Sequence, residues 1–177
     1  MKDLIYMLFA NYKDEIIFLH VISAVVWVGG MIALRYAAHQ SIQQLQSPLD
    51  KLQRTAYALK RLFIIVAPFI VIILLTAIIM AVGFGFRSAA IGPEGNVINS
   101  YAMHIYKIVH VKESIWTIMT LNYLYMVFRR NRAQKLIDNG DLIAAKAALA
   151  PIGAYLVPIN IALGIIAVYL GVVLQAG

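Results

Sequence analysis

The sequence predicts an all-α integral membrane protein, a four-helix bundle with both termini on the outer side of the bilayer. Three observations predict it. Hydrophobic side chains make up 62% of the 177 residues and charged ones only 13%, against an apolar share of about 45–50% in soluble domains. Four apolar runs each reach the roughly 20 residues that cross a hydrocarbon core. The basic residues gather in two of the connectors, both on one side of those runs. The runs take up most of the chain, so it reads as one transmembrane domain over residues 1–177, with no soluble catalytic unit beside it. Cysteine is absent. That excludes disulfides, thiolate zinc sites, iron–sulfur clusters and a cysteine nucleophile, and leaves histidine, methionine and carboxylate for any metal chemistry.

The elements follow in order. Residues 1–15 carry Lys2, Asp3, Lys13, Asp14 and Glu15; the apolar run behind them is too long for a signal peptide and lacks a small-residue cleavage pattern. A short interfacial helix capped by Asp3, Asn11 or Asp14 fits this segment. The first span covers about residues 16–37 and the second about 62–84, joined by a polar, helix-favouring connector. Residues 83–99 form the turn-rich loop, with Gly92-Pro93-Glu94-Gly95 at its centre, placed on the outer side where it can cover a site. The third span runs over about 101–128 and the fourth over about 147–174, the last interrupted by Pro151 and Pro158. Asn139-Gly140-Asp141 reads as a helix stop followed by a new cap. Strands of alternating polarity, which a β-barrel requires, do not occur.

Charge sets the orientation. The connector after the first span holds Lys51, Arg54, Lys60 and Arg61, and the one after the third holds Arg129, Arg130, Arg132, Lys135 and Lys146. The other side offers only Lys2, Lys13 and Arg87. The basic connectors are therefore cytoplasmic, facing anionic lipid in what reads as a bacterial inner membrane. Topology accounts for the net charge of +7, and nucleic acid is dropped as a partner.

Ionisable residues inside spans are costly and functional by default. His20 and His110 each lie about one turn inside the outer end of a span, on helices running the same way, so they share one depth. Two imidazoles at one depth suit a haem ligated from opposite faces. His20, Ala24, Trp27 and Met31 share a helical stripe. Ser23, Ala24, Gly29 and Gly30 keep that helix slim, which serves either close helix packing or admission of a macrocycle. Tyr106, His110, Glu113, Ser114 and Thr117 form a polar stripe expected to meet a polar partner in the bundle. Lys112 either joins it, as a relay or an anchor for a carboxylate, or snorkels to the interface. His39, about 28 Å from His20 along the helix, belongs to the inner surface. His104 is an interfacial histidine and the alternative ligand on the third span. Copper is a competing occupant, with His20, His104, His110, Met31 and Met103 as its nitrogen and thioether donors.

The run from His20 through Trp27-Val28-Gly29-Gly30 to Arg35 and His39 resembles the first helix shared by HemJ-type protoporphyrinogen oxidases and CopD-like membrane proteins. Lys60-Arg61-Leu62-Phe63 with Pro68 looks like the entry to the second HemJ helix, and His110-Val111-Lys112 looks like its His-x-Lys motif. The resemblance spans roughly residues 16–151, with its short motifs in the family's order. It implies a membrane haem b protein in which His20 and His110 are the axial ligands and Lys112 is a functional lysine, joined by Arg35 as a catalytic candidate. Trp27, Gly30 and Arg61 are the further cofactor-contact candidates. The implied activity is six-electron oxidation of protoporphyrinogen IX to protoporphyrin IX, with a quinone as acceptor. Tyr123 stands where the family pattern has a further histidine, and the Asn-Glu motif is replaced around residues 148–150. Two other expectations stay beside this one: CopD-like copper handling or transport, and a haem electron carrier without a small-molecule substrate. The partners implied are haem, quinone, a porphyrinogen, the lipid bilayer and a second copy of the chain.

Overall fold

The computed structural model describes residues 2–176, and it is helical almost throughout. Helix α1 (Lys2–Asn11) is followed at once by α2 (Lys13–Ala33), a five-residue π-helical segment (Leu34–Ala38) and α3 (His39–Gln43). After a short turn come α4 (Pro48–Gly83), α5 (Phe86–Ala90) and α6 (Ser100–Asp138). Helix α7 (Leu142–Pro151) then runs through a second π-helical segment (Ile152–Leu156) into α8 (Val157–Ala176). Among the described residues there is no strand, only an isolated antiparallel bridge between Ile91 and Val97.

Local chemistry sets the boundaries. Ser47 accepts from the Asp50 N–H and Pro48 opens α4, where its missing N–H has no intrahelical partner to lose. Asn99 caps α6 by accepting from the Tyr101 and Ala102 N–H groups at 2.9 and 3.0 Å. Gly140 takes a left-handed φ of 79°, and Asp141 caps α7 through the Ala144 N–H, so the stop-and-cap reading of residues 139–141 holds. The short N-terminal helix exists as α1, but Tyr12 rather than Asn11 or Asp14 sits at the start of α2, with no side-chain cap. Pro151 and Pro158 do not interrupt the last long helix. The π-helical turn between them widens the ladder and carries the helix on. The 83–99 loop is partly helical, and its α5 packs on α6.

Among the described residues, three helices are long and apolar enough to cross a membrane: Lys13–Gln43, Pro48–Gly83 and Leu142–Gln175. Their outward faces are apolar, with Phe18 64%, Val71 54% and Ile165 56% exposed, a continuous greasy surface that water does not tolerate. Helix α6, the expected third span, has the length but is set apart by Lys107, Lys112, Glu113 and its hydroxyl and amide residues. Helix α2 packs on α4 and α8, and α6 packs on α4, α7 and α8. One core joins them, built from Trp27, Met31, Phe63, Val66, Met119, Met126 and Ile152 among others. Close approach is enforced at glycines: a Cβ on Gly30 would sit 2.8 Å from Leu62 Cδ1, and one on Gly164 would overlap Val28. Of the two readings of Gly30, helix packing is therefore the one its surroundings carry. Between α6 and α8, Asn122 donates to Leu156 O and Asn160 Oδ1 at 2.9 and 2.7 Å, and Asn160 donates to Met119 O.

Candidate functional site

The stripe predicted on α2 faces inward: Trp27 and Met31 are buried, His20 and Ala24 are half-buried, and Ser23 beside them is buried. His20 Nδ1 lies 2.8 Å from Thr76 Oγ1 on α4. That hydroxyl is itself 2.7 Å from Ile72 O and 3.1 Å from Ile73 O. It has one hydrogen, which the helix carbonyls take, so its oxygen accepts from the ring. The imidazole is thereby held as the Nδ1–H tautomer, with the Nε2 lone pair left over. Metal-ligating histidines are oriented in this way, through a second-shell acceptor on the other ring nitrogen.

Lys112 on α6 turns towards the same region. Its Nζ lies 3.1 Å from the point that a Cβ on Gly171 of α8 would occupy. Thus α2, α4, α6 and α8 each bring a residue to one end of the helix packing: His20, Thr76, Lys112 and Gly171. Among the described residues no carboxylate pairs with Lys112. About seven residues along α2, or roughly 10 Å, the Trp27 indole N–H is buried with no partner. Trp116, by contrast, donates its indole N–H to Ile70 O at 3.2 Å.

The structure does not bring His110 to this group. His110, Glu113, Ser114 and Thr117 all lie on the exposed side of α6, opposite the packed residues Ile115, Met119 and Tyr123. The polar stripe therefore faces away from the core, contrary to expectation. The physical reason is that it satisfies itself: Ser114 Oγ donates to His110 O, Thr117 Oγ1 donates to Glu113 O, and His110 Nδ1 pairs with Glu113 Oε2 at 2.8 Å. Tyr106 closes edge-on over the His110 ring with centroids 4.5 Å apart. Lys112 and Glu113, read as neighbours on one polar surface, point to opposite sides. His104 is exposed as well.

The remaining predicted residues sit at the far end. Thr76 and Arg61 are fifteen residues apart on α4, about 22 Å, and Arg61 is exposed. Arg35 lies in the first π-helical segment and reaches towards Gly153 in the second. His39 follows it by one turn. Met31, a proposed copper donor, is wholly buried in the core and about 16 Å from His20 along α2. No three histidine or carboxylate side chains gather among the described residues.

Sequence reasoning did not single out Thr76, Gly171 or Asn160. Each is a lone polar or small residue inside an apolar run, and its interruption of that run is the signal that marks it. Also unforeseen were the roles of the paired arginines at the end of α6. Arg129 donates to Ala147 O and Ala148 O, and the 8%-exposed Arg130 donates from Nε to Ala56 O at 2.9 Å. No protein-family model, curated protein or solved structure matches the chain, so the site stands on its own geometry.

Proposed function

We propose that the chain is an integral membrane haem b protein of redox function, with His20 as an axial ligand. The observation that carries this reading is the inward-facing His20 imidazole with Nδ1 2.8 Å from Thr76 Oγ1, a contact that engages one ring nitrogen and leaves Nε2 for a ligand. In this reading α6 is the third of four spans, both termini lie outside, and the basic connectors are cytoplasmic in a bacterial inner membrane. The His20 end is then the outer end.

A haem bound there would supply one-electron transfer. The chain's own residues do the rest. Thr76 sets the plane of the imidazole, and Lys112 places a positive charge within reach of an acidic group such as a porphyrin carboxylate. The Trp27 N–H is a buried donor available to the same occupant. The most specific form of the proposal, which rests on the HemJ-like motifs, is six-electron oxidation of protoporphyrinogen IX with a quinone as acceptor. His110 would not hold the haem together with His20 in this geometry, since its ring lies on the exposed side of α6.

Visible spectra of the oxidised and reduced protein, with a pyridine haemochrome assay and elemental analysis, test the proposal. A Soret band lost in His20→Ala and retained in His110→Ala is expected. Protein purified without haem but with stoichiometric copper would overturn it. Complementation of a strain lacking protoporphyrinogen oxidase tests the specific activity, and failure to complement by a haem-loaded protein would leave an electron carrier.

A further inference from the structure

At the opposite end from His20, a cleft of about 260 Å3 opens between α4 and α6. The two helices run antiparallel across it, so its lining changes character with depth. Lys60 on α4 stands at the mouth with Arg130 and Asn131 on α6, at the edge of the apolar runs. Phe63 and Ile64 come next, opposite Val127, and Ala67 with the Tyr123 ring closes the deep end. The Tyr123 hydroxyl is already spent on Phe63 O at 2.8 Å, so the deep part offers only apolar surface.

The mouth is cationic, and among the described residues no carboxylate bonds to Lys60 or Arg130. Arg130 is 8% exposed, and its three recorded hydrogen bonds go to neutral groups: Ala56 O, Asn131 Oδ1 and Gln134 Oε1. The nearest acid along this network, Asp138, is engaged by Gln134 rather than by the guanidinium. A guanidinium has five N–H donors, so two remain. A nearly buried cation beside a second cation, with no carboxylate on either, is an unfavourable arrangement that an anion relieves.

We propose that this cleft binds one anionic phospholipid, its phosphate between Lys60 and Arg130 and an acyl chain along Phe63, Ile64, Ala67 and Val127. A free phosphate would use only the mouth, and a zwitterionic lipid would fill the depth but bring its own cation to Lys60 and Arg130; an anionic lipid matches both. The proposal rests on the membrane placement of α4 and α6 and is independent of the haem.

Native mass spectrometry of the full chain in detergent provides the test, with dioleoyl phosphatidylglycerol, dioleoyl phosphatidylcholine and inorganic phosphate as probes. One phosphatidylglycerol is expected to stay bound more than roughly tenfold better than phosphatidylcholine, since the choline ammonium offsets the phosphate charge and adds a third cation to the mouth. Lys60→Gln, at an exposed position, should cut that preference about fivefold. Ile64→Trp, which fills the chain path from an exposed position, should weaken phosphatidylglycerol binding with both cations intact. Millimolar phosphate should not displace the lipid. Equal retention of the two lipids, indifference to both substitutions, or displacement by phosphate would overturn the site. Retention of neither lipid by a protein soluble without detergent would overturn the membrane placement beneath it.

Discussion

The two ends of the long helices are both polar, yet they are wired in opposite ways. At the Arg130 end, two guanidinium N–H groups and Lys60 at the cleft aside, the donors are spent between helices. Arg129 holds the carbonyls of Ala147 and Ala148, Arg130 holds Ala56 O, and Tyr123 holds Phe63 O. Each of these ties one helix to another. At the His20 end one hydrogen bond fixes the ring, a glycine rather than a carboxylate lies against Lys112, and nearby Trp27 has no partner. The comparison separates fastening from function: a polar group that closes a bond to a neighbouring helix stabilises the packing, whereas one held in place with a lone pair or proton unspent is prepared for something the chain does not itself supply.

The contrast can be broken most decisively at His20. Replacement by alanine should remove haem absorbance from the purified protein altogether while circular dichroism reports unchanged helix content; a surviving Soret band would mean that the His20 end is not the haem site. Next in size is Arg130→Ala, which strands the fastening at the other end and leaves a cavity. It should lower unfolding stability by about 3 kcal/mol, read by thermal or detergent denaturation, without shifting the spectrum of the protein that remains folded. A normal melting profile would show that the arginine fastens nothing. Thr76→Val sharpens the comparison, because it keeps the shape and removes only the acceptor that orients His20. Haem affinity should fall about 10- to 100-fold with little loss of stability, and an unchanged affinity would assign Thr76 a packing role. The smallest effect belongs to Trp27→Phe. Deleting an indole N–H that has no protein partner should change the stability of the haem-free protein by less than about 1 kcal/mol, and a larger loss would point to a partner for that N–H within the fold.

Much of the fold is legible in the residues because long apolar runs have few alternatives. Residues 16–37 and 147–174 fall inside helices of membrane-crossing length, as does 62–84 but for its last residue, and the glycine–aspartate boundary at 140–141 declares itself by its turn chemistry. The site is legible in half. His20 is an ionisable residue within a membrane-length apolar run, and its cost in lipid assigns its face to the bundle interior. Helix α6 carries two competing stripes, one through Lys112, Ile115, Met119 and Tyr123, the other through His110, Glu113, Ser114 and Thr117. Periodicity defines both faces without saying which meets the core. What decides is that serine and threonine can donate to their own helix, which removes most of the cost of turning that face outward. Thr76 was invisible for a related reason: a single hydroxyl has no period, and its importance arises only when another helix sets an imidazole beside it.

The π-helical turn at Ile152–Leu156 has a consequence for how this chain tolerates change. Each residue advances an α-helix by about 100°, and a π turn holds an additional one. Winding the same five residues as an ordinary α-helix would leave span length and hydrophobicity almost untouched, yet it would rotate everything downstream by about that angle. Asn160 would swing off Met119 and Asn122, Gly164 would leave Val28 facing a bulkier neighbour, and Gly171 would no longer lie against Lys112. The phase of the last helix, and with it one wall of the His20 end, is therefore set by one residue some 15 to 20 positions away, at the far side of the bilayer.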